Sequence, residues 1–348
     1  MPLTLARLRA SVVRRSLFRP TTLSAAVERM GFVQADPIRA PARAQDLILR
    51  HRVAGYREGD LERAYPSLGL DEDVLYAYGF VTPAVRRLLH PGEAKEPDGL
   101  AGEVLACVRE IGEVHPREAA RRLGTARERN AWGGQSLATT RALEGLHARG
   151  LLRVARRDRG VRVYAVAPPG PEGALSPSER LRGLVLLLAR MFAPLPETGL
   201  RRVLRYVPFV RRHAPATAVR AEIAALLRTG ALEGEVVGGE RWVWPEGEGP
   251  RPRERVPKIV RLLAPFDPVV WDRERFTKLW GWEYRFEGYV PEGKRVRGYY
   301  ALPVLEGERV GGWANVGRGG VEWGFVGEEV GREEREEEEG RIEWFLGG

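Results

Sequence analysis

Twice in this sequence a helix-forming stretch stops at a glycine that opens directly into a hairpin-forming run, at Gly150 and again 80 residues later at Gly230. Glycine adopts left-handed backbone without a Cβ penalty, so it both ends a helix and lets the chain turn back. Ahead of Gly150 the spacing predicts helices over 100–111, over the short run His115–Gly124, and over 134–149, where Leu137, Leu143 and Leu146 are the apolar positions. Behind it, 151–166 reads as two strands turning at Asp158-Arg159-Gly160. Ahead of Gly230, Ser176-Pro177-Ser178-Glu179 is a helix-start signature for 181–192. A short helix near 198–206 and a third over 216–229 follow, then a hairpin over 232–244 turning at Gly238-Gly239. Three helices and a hairpin make a winged helix. The two copies repeat an architecture, not a sequence.

The 348 residues are 43% hydrophobic and 30% charged, enough apolar material for several globular domains and inconsistent with a disordered or collagenous chain. No apolar run is long enough to span a bilayer, and the first residues lack the apolar stretch of a signal peptide. The expectation is a cytoplasmic monomer, nucleoid-associated in a bacterium. The lone Cys107 forms no internal disulfide and no cysteine-based zinc site, and His51, His90, His115, His147 and His213 show no ligand spacing. No metal is expected.

Charge is uneven. The net is +9, yet Val326–Gly340 holds eight Glu and two Arg, so the rest carries about +15. Of 56 basic residues, 52 are Arg. A GC-rich genome produces that bias without function; the other source is a phosphate-rich partner, which the guanidinium fork suits. The hairpin after Gly150 carries Arg153, Arg156, Arg157, Arg159 and Arg162, and the helix before it offers Gln135, Thr139 and Arg141. In a winged helix these positions face nucleic acid; the alternative is a solvated wing. The second hairpin, with Glu233, Glu235 and Glu240, is a poor DNA-contacting wing.

The chain has only three Gln, so Gln34 in Phe32-Val33-Gln34-Ala35-Asp36-Pro37 stands out. In an extended segment Gln34 and Asp36 share a face, with Val33 and Ala35 pointing into the core. A carboxylate beside a carboxamide can take a proton from water, orient that water and stabilise an oxocarbenium-like cation, as N-glycosidic or O-glycosidic hydrolysis requires. The plainer reading is a turn in which Asp36 caps a helix over 39–52.

Gly31–Ile38 followed by Ala42-Arg43-Ala44 resembles the Gln-hydrophobic-Asp region of the winged-helix DNA glycosylases of the YcaQ/AlkZ type, the interstrand-crosslink repair DNA glycosylases. Two further stretches resemble that family, Leu262–Arg273 and Leu279–Arg295 continuing through Gly298–Pro303. The resemblance implies an α+β, mainly helical chain: three tandem winged helices around double-stranded DNA, with no metal or cofactor and a C-terminal β-rich region. It implies that Asp36 activates the water attacking C1′ of an N7-alkylpurine nucleotide and that Gln34 places it. Arg39 and Arg43 are also expected among the DNA contacts. The expected division is 1–98, 99–170 and 171–250 as winged helices, 251–326 as a β-rich cap in which Trp282, Tyr284 and Phe286 alternate as in a strand, and 327–348 as an acidic tail. Pro168–Pro171 and Pro245–Pro257 read as linkers. The rival functions are a non-catalytic winged-helix regulator or architectural factor, and an adaptor that uses the acidic tail.

Overall fold

A computed structural model describes residues 2–90, 95–129, 134–168, 174–252 and 255–347. The chain forms two units, one from 1–61, 74–79 and 181–348, the other from 62–73 and 80–180. Among the described residues no helix is long and apolar enough to cross a membrane.

In the unit of 62–73 and 80–180, the order is helix Gly99–Ile111, strand Glu113–Val114, helix Pro116–Leu123, helix Ala138–Ala148 and hairpin Leu152–Asp158/Val161–Val166. Val161–Val166 is the middle strand, with Glu113–Val114 on its other side. Val104, Val108, Leu143, Leu146, Val154 and Tyr164 form the apolar core between the helices and this sheet. The hairpin turn places Arg159 (φ 48°) and Gly160 (φ 82°) in left-handed backbone, the mirror-image turn that matches strand twist. The helix predicted from 134 starts later. Gln135–Leu137 is a strand paired with Arg127–Arg129, and Ala138 N donates to Ala126 O (2.8 Å), so those amides are taken before a helix can claim them.

The other unit follows a similar order with one helix more. Helix Pro177–Phe192 leads to strand Leu195–Pro196, helices Glu197–Leu204, Pro208–His213 and Ala216–Thr229, and hairpin Leu232–Val237/Glu240–Pro245. Gly230 (φ 78°) caps the third long helix, and the turn falls at Gly238 (φ 61°) and Gly239 (φ 80°). Leu195–Pro196 pairs with the hairpin's second strand. Preceding these in sequence, helices Leu5–Ser16 and Leu23–Met30 are capped by the Thr4 and Thr22 hydroxyls, and Gly31 (φ 70°) turns the chain into strand Phe32–Gln34.

Several expectations are corrected here. The helix expected over 39–52 is only Ala44–Leu49, because Asp36-Pro37 and Pro41 hold the approach in turns. Trp282, Tyr284 and Phe286 alternate without pairing in a strand. The preceding segment Arg273–Trp280 is a helix, and the antiparallel sheet Val260–Leu262, Leu302–Glu306, Arg309–Gly317, Gly320–Phe325 takes none of 281–301. Those aromatics are fixed by side chains, such as Tyr284 Oη donating to Ala301 O (2.8 Å). The stretch expected as an acidic tail ends in helix Arg332–Leu346, which buries Ile342, Phe345 and Glu338. Glu338 accepts from Leu262 N (3.0 Å) and pairs with Arg50, so one acid of the run is structural. Residues 62–73 and 80–98, expected in the first domain, belong with the second unit. The boundary expected at 170/171, and most of the Pro168–Pro171 linker, lie outside the described residues.

Candidate active site

Gln34 ends a strand whose three residues are all buried, on both faces. Strand backbone at Tyr78 and Gly79 runs beside it. Ala35 N donates to Tyr78 O (2.9 Å), and a Cβ on Gly79 would fall 2.3 Å from Val33 O. Only glycine permits that approach. Below, Tyr76 packs edge-on against Phe32 (4.8 Å between centroids) and Trp271 (4.6 Å). The segment carrying Gln34 is therefore held rigidly.

Strand geometry ends at Gln34, and Asp36 lies just beyond it. Ala35 is half-exposed, not turned into the core as its alternation predicted, while Val33 is buried. Asp36 Oδ1 accepts from Ile38 N (2.8 Å), the local turn that Asp before Pro favours. It does not cap a helix, since Arg43 holds that position for Ala44–Leu49. The other oxygen, Oδ2, has no hydrogen bond to any described residue. Burial raises the Asp36 carboxyl above its usual range, and the Ile38 amide opposes this only in part.

Two residues that the sequence did not single out complete the cluster. Gln45 is buried on helix Ala44–Leu49, and its Oε1 accepts from Asp36 N (3.3 Å). Its helix is anchored by the neighbouring buried Asp46, which accepts from Tyr56 Oη (2.7 Å) and Gly59 N (3.0 Å). The scarcity of Gln was a signal that could have found Gln45. Tyr300 lies in one of the stretches that carried the family resemblance. It is buried edge-on against Phe286 (5.2 Å), and its hydroxyl is pushed up first by burial and then by the charge of Asp36. The hydroxyl of Tyr300 and Oε1 of Gln34 (8% exposed) are both buried without a hydrogen-bond partner. Unsatisfied buried polar atoms are uncommon. Gln34 Oε1, Tyr300 Oη and Asp36 Oδ2 each keep hydrogen-bonding capacity that a water could use.

The stretches that carried the resemblance also have structural duties. Asp267 is locked to Arg52, Asp272 caps helix Arg273–Trp280, and Glu287 Oε2 accepts from the amides of Val296 (2.9 Å), Arg297 (2.8 Å) and Gly298 (3.3 Å).

The expected DNA contacts divide. Arg39 is exposed, 3.5 Å from Glu58, and Arg43 is half-buried beside Asp46. The other eight are in the second unit. Thr139 is corrected: at 1% exposure it is a core residue and cannot reach DNA. Arg157 forks onto the buried Glu72 carboxylate (2.8 and 2.5 Å) and so holds the hairpin to its own unit. Arg153 faces Asp71 (3.8 Å), Arg156 pairs with Glu113 (2.8 Å), Arg162 bonds Tyr164, and Arg141 lies 3.4 Å from Glu128. Gln135 is exposed, and Arg159 at the hairpin tip is exposed with no ion-pair partner among the described residues. Three of the hairpin's five arginines, Arg153, Arg156 and Arg157, thus face carboxylates within the fold.

A family model for AlkZ-like DNA glycosylases matches residues 27–323, a span that contains Gln34, Asp36, Gln45 and Tyr300. Among solved structures the chain is similar to the Streptomyces sahachiroi DNA glycosylase AlkZ, with a TM-score of 0.68 and 16% sequence identity, covering 100% of this chain and 98% of that one. At that identity the likeness is one of fold.

Proposed function

The chain belongs to the AlkZ-like DNA glycosylase family, and from that premise we propose that it hydrolyses the N-glycosidic bond of N7-alkylpurine nucleotides in duplex DNA, with Asp36 as general base and Gln34 placing the water. The observation that carries this reading is the state of Asp36: one oxygen tied to the Ile38 amide, the other without a hydrogen bond to any described residue, in a carboxyl that burial raises. An N7-alkylpurine is a cation. Breaking the C1′–N9 bond moves the electron pair onto the purine, which leaves neutral and needs no acid. The oxocarbenium-like sugar takes the water oxygen at C1′, and Asp36 takes the water proton. Burial strengthens this base by bringing its carboxyl nearer to neutral pH. A crosslinked N7-alkylguanine presents the same leaving group, so the proposal extends to unhooking.

We read these two arrangements, each a run of helices with a short strand and a closing hairpin, as winged helices. They would hold the duplex through phosphate contacts at exposed cations such as Arg159 and Arg39, with affinity falling steeply with salt.

The test is incubation of purified protein with duplexes carrying one N7-methylguanine or one N7-guanine interstrand crosslink. The expected result is release of the free base, separation of the crosslinked strands, and strand scission only after alkali, as hydrolysis by a carboxylate implies. Tight duplex binding with no release of base would return the non-catalytic DNA-binding alternative. In the same assay Tyr300→Phe is expected to slow release about tenfold, the worth of one hydrogen bond to the reacting water, without lowering Tm, because the hydroxyl bonds nothing in the fold. An unchanged rate would remove Tyr300 from the site.

A further inference from the structure

Helices Leu5–Ser16 and Leu23–Met30, the end of Pro177–Phe192 and the segment 247–251 surround a cavity of about 430 Å³ that shares no residue with the Gln34–Asp36 cluster. Six guanidiniums line it, from Arg14, Arg15, Arg29, Arg52, Arg190 and Arg251, against one lining carboxylate, Glu248. Glu248 is shared by Arg15 (2.7 Å) and Arg190 (3.2 Å), and Arg52 is matched by the buried Asp267. Arg14 and Arg251 have no carboxylate partner among the described residues, and Arg29 feels the charge of Glu248 without forming an ion pair with it. Arg29 lies over the Phe18 ring (4.1 Å).

Basic side chains in the last turn of a helix offset its dipole, which accounts for part of this charge on three helices. It does not account for Arg251, which is on no helix, or for the unused donors. Ser11 lines the cavity at 1% exposure with its hydroxyl unpartnered, and the Nε of Arg15 is likewise buried and unpartnered. Surplus cations and unused donors facing one cavity call for an anion. A lone phosphate would leave most of the volume empty, which is in the range of small-molecule sites. Phe18, Met30 and Met191 give the rest an apolar wall.

We propose that this cavity binds a nucleoside phosphate, with Ser11, Arg14, Arg29 and Arg251 on the phosphate oxygens and the apolar wall against the sugar or base. The nucleotide comes either free from solution or as part of a DNA strand; the recognising chemistry is the same. The site is independent of Asp36.

The experiment measures binding of dGMP and of an unmodified duplex by full-length protein, for wild type, Arg14→Ala/Arg251→Ala, Ser11→Ala, and a control that removes two exposed arginines outside both helix-and-hairpin arrangements, Arg318→Ala/Arg332→Ala. Binding of dGMP by wild type, weakened about tenfold or more in the double variant and about threefold in Ser11→Ala, identifies a free nucleotide. No dGMP binding, but duplex affinity weakened about tenfold in Arg14→Ala/Arg251→Ala and unchanged in the control, with the salt slope reduced by about two, identifies a strand phosphate. Equal losses in the control, or no loss with either probe, overturn the proposal. Asp36→Asn is expected to bind like wild type in every arm, so failure of base release leaves this test intact.

Discussion

Asp36→Asn is expected to slow single-turnover base release by about 10²- to 10⁴-fold, the usual contribution of a general base, while Tm stays the same or rises. Asparagine keeps an oxygen for the Ile38 amide, so the turn that aims the side chain survives. It cannot take a proton from water. The stability half follows from the direction of the pKa shift. A folded-state carboxyl raised by burial gives stability that is full below its unfolded pKa and is lost as pH rises through the folded pKa. At neutral pH the ionised Asp36 therefore opposes folding, and a neutral amide removes that opposition. Loss of function with gain of stability is the pattern of a group kept for chemistry. A variant with wild-type rate would remove Asp36 from the mechanism, and a large fall in Tm would make Asp36 a structural residue.

The largest expected effect on folding is at Asp267. Asp267→Ala should lower unfolding free energy by about 3–5 kcal/mol, because it strands a charge in the interior. Arg52 and Asp267 are both 0% exposed and meet as a fork, Nη1–Oδ2 at 2.7 Å and Nη2–Oδ1 at 3.0 Å. Arg52 also donates to Ser16 O (2.7 Å) and Ile48 O (2.6 Å), and Asp267 accepts from Val269 N (2.9 Å). One pair thus fastens the first helix, the Ala44–Leu49 helix that carries Gln45, and the Leu262–Arg273 stretch. The double variant Arg52→Met/Asp267→Leu should recover much of the loss, since a buried pair replaced by apolar groups is often neutral. Urea denaturation of the three proteins checks this. A loss under about 1 kcal/mol for Asp267→Ala would place the pair among those that contribute little, as exposed ones do.

What the sequence revealed was local. Glycines at 31, 124, 150 and 230 marked helix ends, and Gly238-Gly239 marked a turn, because positive φ is a property of one residue. The polar pair at Gln34 and Asp36 was legible for a related reason: both lie in one short segment, among few amides. Partners distant in sequence were not legible. Glu338 looked solvated because Arg50, its partner, is 288 residues away. Arg157 looked free for DNA because Glu72 is 85 residues away. Thr139 looked like a groove residue because the helix face it occupies turns inward, which its own polarity does not show. The aromatic alternation at Trp282, Tyr284 and Phe286 marks extended backbone, and extended backbone need not pair. Gln45 and Tyr300 join Asp36 only through the fold.

If an ionised Asp36 performs the hydrolysis, the pH profile of single-turnover N7-methylguanine release, corrected for spontaneous loss, must report its ionisation. The predicted profile for wild type falls on the acid side through one ionisation, with its midpoint above the ordinary aspartate value of about 3.9, and Asp36→Asn shows a low rate without that limb. A wild-type rate that stays level through the acid range, or an Asp36→Asn protein with the same limb, would contradict it.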